Sequence, residues 1–185
     1  MSTTNRTMRV LSYGIFSPHD LLEKLRLDGA KLIDIPAPYD IFNFIVIAAV
    51  LAEWVENYYR TSKKAGEFAT PTRHRDWIIP SISDEWIVDT SHLPNIDSGI
   101  QRSIKNCLSI CAHTANASKH FYWKDSGAVT SVSEDPPIKD YYQYFFTSTE
   151  QDVYVEFEGE NYGIKQIKGV LLQFYACLID YFEPK

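Results

Sequence analysis

The stretch "DIFNFIVIAAVLAEW", residues 40–54, carries no charge between Asp40 and Glu53. Wound at 100° per residue, its apolar side chains fall on nearly every side of a helix. Such a helix belongs in the middle of a bundle. The pattern therefore predicts a central, buried helix from Asp40 to about Tyr59, and with it a mainly α fold. Asn43, three residues after Asp40, is expected to be buried, where an amide needs partners, and so to bridge to a neighbouring helix or cap a chain turn. Glu53 and Trp54 read as the edge of the core, and Glu56 and Asn57 as the return to water.

Working outward, "SPHDLLEKLRLDGAKLI" at 17–33 opens with a helix start. Ser17 suits the cap, Pro18 the first helical position, and Asp20 the turn where unpaired amides welcome a carboxylate. Gly29 marks an end or a bend, and "PAPYD" at 36–40 resets the chain. Residues 1–16 form an N-terminal arm. On the other side, residues 61–95 gather Lys63, Lys64, Arg73, His74 and Arg75 among Gly66, Pro71, Pro80 and Pro94. This long basic excursion reads as a solvated loop within one domain spanning 1–185, although its charge suits phosphates.

A second long helix is expected from Ile96 to Phe121. Ile104, Cys107, Leu108, Cys111, Thr114, Ala115, Ser118 and Phe121 share its apolar face. Lys105, Ser109, Ala112, His113, Asn116 and His120 fall opposite. Small residues at 111, 112, 115, 117 and 118 would let another helix come close. After "KDSG" the period changes. "YYQYFFTS" and "DVYVEFEGENYGI" are rich in aromatic and β-branched residues, and Val153, Val155 and Phe157 alternate with Asp152, Glu156 and Glu158. A β-hairpin is expected within 140–165, turning at Gly159 to Asn161. Ile167, Val170, Leu171, Phe174, Leu178 and Tyr181 then repeat at helical spacing, which gives an amphipathic C-terminal helix docked on the bundle.

Of 185 residues, 45% are hydrophobic and 23% charged, enough for a real core. A net charge of −6 argues against global affinity for nucleic acid or anionic membrane. Cys107, Cys111 and Cys177 are too few and too irregular for a disulfide framework, so a reducing, cytoplasmic setting is expected. Arg6 and Arg9 precede the short apolar run "VLSYGIF", but "SPHD" follows in place of a small-residue cleavage site. The longest apolar run, "IFNFIVIAAVLA", is short of the roughly 20 residues that span a bilayer. No membrane association is expected.

The stretch "ICAHTANASKHF", residues 110–121, carries the candidate chemistry. His113, Asn116 and His120 lie within about a 60° arc. An imidazole titrates near neutral pH and an amide orients a phosphate or a water, which suits general acid–base work. The alternative is that they are the wet face opposite the apolar stripe. As metal ligands, Cys107 and Cys111 share one face while His113 and His120 point the other way, so one helix cannot gather all of them. The cysteines read as buried small hydrophobes, reduced and metal-free, and neither metal nor cofactor is expected. The sequence has no Gly-rich phosphate loop and no serine nucleophile elbow.

Together, "DIFNFIVIAAVLAEW" and "CAHTANASKHF" resemble an uncharacterised bacterial branch of the HEPN-like superfamily. There a helix reading approximately D-x-F-N-F precedes a helix ending approximately A-N-x-S-K-H-F. The likeness covers roughly residues 38–182. It implies a HEPN-like helical bundle with an antiparallel β-hairpin or small sheet before the C-terminal helix, assembled as a homodimer through the helix from Ile96 to Phe121 with its run of small residues. HEPN ribonucleases use an Arg-x(4–6)-His motif, the arginine stabilising phosphate charge and the histidine assisting the 2′-hydroxyl. His120 matches the histidine, but the matching upstream window is His113, Thr114 and Ala115, without arginine. Neutral imidazole is a poor substitute for a bidentate guanidinium. The resemblance therefore implies a non-catalytic dimeric interaction or regulatory protein in a defence or toxin–antitoxin context, with RNA or a partner protein as what it meets. The alternative is a metal-independent endoribonuclease using His120 with help from His113, Asn116 and Lys119. A third reading is a small-ligand binder using "YYQYFF".

Overall fold

The computed structural model describes residues 14–33, 36–59, 100–120, 129–133 and 152–183. In chain order these form α1 (Pro18–Gly29), α2 (Pro38–Tyr59), α3 (Gln101–His120), β1 (Val129–Ser133), β2 (Tyr154–Phe157), β3 (Glu160–Gly163) and α4 (Ile164–Phe182). The protein is mainly helical with a small antiparallel sheet before the last helix. The excursion at 61–95, "YYQYFFTS" and the N-terminal arm as far as residue 13 lie outside the described residues.

Helix α1 begins as its sequence dictates. The Ser17 side chain accepts from the Asp20 amide at 3.2 Å, and the Asp20 carboxylate accepts from the Ser17 amide at 3.0 Å. That reciprocal pair satisfies amides the first turn would otherwise leave open. The Phe16 amide also donates to Asp20, and these bonds hold its carboxyl below the usual carboxylate range. At the other end Asp28 is 2% exposed, reached by Lys24 from the same helix and by Lys31 from the turn just beyond it.

Helix α2 packs on α1, α3 and α4 along one face and exposes the other, so the central, buried position its composition predicts is met on one side alone. Phe44, Ala48, Leu51 and Val55 are completely buried, at the four-and-three spacing of a single helical face. Leu21, Leu22 and Leu25 from α1, Ile104, Cys107 and Cys111 from α3, and Ile167, Leu171 and Phe174 from α4 complete one core. Each large side chain so buried contributes about 1.5–3 kcal/mol. Two tyrosines pin α2 to α4. Tyr175, fully buried, donates to the Ala48 carbonyl at 2.7 Å, and Tyr59 donates to Glu183 at 2.7 Å while stacking on Phe182.

The expected burial of Asn43 is wrong, and so is the expected exposure of Glu56, which is 4% exposed. Asn43 is exposed, and so are Tyr39 and Phe42 beside it. A stretch apolar on all sides does not reveal which side turns inward. In length and composition α2 would be enough to cross a membrane, although one face of it is buried against three helices.

The sheet runs in the order β1-β2-β3, antiparallel throughout. Val153, Val155 and Phe157 turn inward, as their alternation predicts. The turn falls at Glu158 and Gly159, one residue earlier than expected, with φ of 52° and 78°. Two consecutive positive φ values make the two-residue connection whose twist suits a hairpin. Strand β1 was not expected. It pairs with β2 through an irregularity between Val129 and Ser131.

Candidate functional site

The candidate residues of "ICAHTANASKHF" sit on the C-terminal half of α3, where that helix meets the sheet. Position 113 follows 106 by two full turns, and position 120 follows 113 by two more, so Asn106, His113 and His120 drift only about 20° per step along one flank. That flank does not face open water along its first half. Asn106 is 6% exposed and donates its side-chain amide to the Tyr162 hydroxyl at 2.5 Å. His113 is half-buried, its ring centroid 6.3 Å from that of Phe157 on β2, at an interplanar angle of 42°. Ser109, expected on the wet face, is 7% exposed. The helix is thus packed on both sides, against the core and against the sheet. Among the described side chains of this helix, Arg102 and Asn116 are exposed, and the buried Ser109 lies between them on the same stripe.

This packing sets the chemistry of His113. Burial against Phe157 disfavours the charged imidazolium and lowers its pKa from the usual 6.5, and the nearby Glu158 carboxylate opposes that only in part. The shift favours the neutral ring of His113. It is available as a proton acceptor or a hydrogen-bond partner, and it is no anchor for a phosphate. Glu158 itself takes a left-handed φ at the hairpin tip, a conformation that disfavours residues with a Cβ.

The structure brings His113 against the sheet and leaves Asn116 exposed on the neighbouring stripe. Positions 119 and 120 continue the helix as its last residues. Positions 119 and 120 lie about 100° apart around the axis, so Lys119 does not share a face with His120. Arg102 stands at the opposite end of α3, about 27 Å along the axis from His120 at 1.5 Å rise per residue. Sequence reasoning missed Asn106 and Tyr162. Their only signal is that Asn106 stands two turns before His113, and Tyr162 belongs to a strand whose pairing decides where its hydroxyl lies.

Cys107 and Cys111 are free, buried thiols on the opposite side from His113. Burial pushes Cys107 up to about 12, and burial together with Cys107 raises Cys111 as well. Thiols held protonated in this way are poor ligands and poor nucleophiles. Among the described residues, no three His, Cys, Asp or Glu side chains gather as a metal site. Comparison with known proteins finds no matching family model, no matching curated protein and no matching solved structure.

Proposed function

We propose that this protein is a HEPN-like, non-catalytic interaction or regulatory protein that works as a homodimer. The carrying observation is the outer face of α2. Tyr39 is 68% and Phe42 46% exposed, followed along the same face by the half-exposed Val46, Ala49 and Val50. Only 33% of the most apolar stretch of this helix is buried within the described chain. A contiguous apolar band of this kind on a helix is the usual mark of an association surface. The described part of α3 exposes Arg102 and Asn116 with the buried Ser109 between them, so this reading moves the dimer contact expected for that helix to α2.

The chemistry of the α3 flank supports the non-catalytic half of the reading. Cleavage through a 2′-hydroxyl needs charge stabilisation on the phosphate, and losing one preorganised donor costs about 10²–10³ in rate. Burial favours the neutral ring of His113, and Arg102 is at the wrong end of the helix. The defence or toxin–antitoxin setting rests on the resemblance of the two helix stretches alone.

Sedimentation equilibrium at micromolar concentration is the test of assembly. A dimer mass is expected. A monomer that keeps its helical circular dichroism at these concentrations would overturn the reading.

A further inference from the structure

The outer face of α2 has a polarity pattern that fits a second copy of itself in one orientation. Measured around the helix from Val46, positions 39, 42, 43, 46, 49, 50, 53 and 57 all fall within about 60° on either side. Tyr39, Phe42, Asn43, Glu53 and Asn57 are exposed there, and Val46, Ala49 and Val50 half-exposed. The centre of this face is apolar. Polar groups sit toward both ends, Asn43 before the centre, Glu53 and Asn57 after it.

A parallel pair would set Glu53 against the partner's Glu53 and Asn43 against the partner's Asn43. Like carboxylates side by side destabilise a helix pair. Running the second helix antiparallel, with the two-fold at the level of residue 48, changes every pairing. Asn43 then shares a layer with the partner's Glu53, an amide donor beside a carboxylate. Val46 shares a layer with the partner's Val50. Tyr39 meets the partner's Asn57 on the midline. The Asn57 side-chain amide already donates to the Glu53 carbonyl at 2.9 Å, which leaves its oxygen to accept from a tyrosine hydroxyl. Ala49 beside the centre lets the axes approach to the roughly 8–10 Å of ordinary helix packing.

We propose that α2 is the dimer helix, pairing antiparallel with α2 of a second copy about an axis level with Ala48. This rests on the dimeric reading above and names its surface and register. It also gives Asn43 a role: placed between apolar turns, it sets direction and register through one polar partner, as single buried amides do in coiled coils.

The test is crosslinking of the full chain in a Cys177→Ser background, because Cys177 is the half-exposed native thiol while Cys107 and Cys111 are buried. Tyr39→Cys and Asn57→Cys chains, tagged differently, are mixed and treated with a short bismaleimide. Crosslinks between the two variants are expected, with few within either. Val46→Glu is expected to lower the dimer fraction at least tenfold while its circular dichroism stays helical. Crosslinks of Tyr39→Cys to itself would replace the antiparallel arrangement with a parallel one and overturn the proposal. A dimer that neither crosslinks nor responds to Val46→Glu would leave dimerisation standing and remove this surface from it. A monomer would remove both, and flotation of that monomer with phosphatidylcholine vesicles would assign the face to lipid instead.

Discussion

At His113 the meaning of one side chain depends on its neighbour. On an exposed helix a histidine titrates near its ordinary value, and here Phe157 removes part of its water. The folded pKa lies below the unfolded value of 6.5. The unfolded chain therefore binds this proton more readily, and the contribution of the buried neutral ring is complete above that value. It is lost as the pH falls through the lower folded value. Thermal unfolding of wild type and His113→Gln between about pH 7.5 and pH 5 measures this. The wild type is expected to lose more of its melting temperature than the variant. An equal loss in both would mean that burial does not disfavour the imidazolium.

Among the elements, α4 shows how a helix starts without a cap of its own. Gly163 occupies the N-cap position and has no side chain to offer. Asp152, across the sheet, takes over that role by accepting from the Lys165 amide at 3.2 Å while also holding the Val153 amide at 2.9 Å. A Cβ at this position would stand 2.5 Å from Asp152 Oδ2, so a larger residue must push that carboxylate away from the cap. Asp152→Ala is expected to destabilise the protein by about 1 kcal/mol, the usual worth of a capping side chain. Gly163→Ala should be costly alone and much less so on top of Asp152→Ala, because the clash and the cap share one carboxylate. Urea unfolding of the two single variants and the double variant measures the coupling. Strict additivity would show that the cap and the glycine are independent.

For the whole molecule, the question is whether the α3 flank turns over RNA. The purified protein is expected to leave single-stranded and structured RNA intact without divalent metal, and His120→Ala to behave the same. The reason is the distance and direction of charge: Arg102 is about 27 Å from position 120 along the axis, and Lys119 is about 100° around it. Cleavage by the wild type that vanishes in His120→Ala would overturn the non-catalytic reading.

The sequence by itself determined what depends on near neighbours. Ser17, Pro18 and Asp20 specified the start of α1, because a capping box closes within one turn. The repeat of Ile167, Leu171, Phe174 and Leu178 specified the inner face of α4, and the alternation of Val153, Val155 and Phe157 the inner face of β2. Tertiary structure alone decided the rest. In α2 a composition apolar on all sides left the inward direction open, and only packing against α1, α3 and α4 turned Phe44 inward and Asn43 outward. In α3 a two-sided reading of the wheel assumed one buried face, but the sheet covers a second flank and takes Asn106 and His113 out of full contact with water. The physical reason is the same in both helices. Periodicity records the contrast between faces, and where that contrast is weak, or where polar groups find hydrogen bonds in the interior, burial is chosen by neighbours distant in sequence.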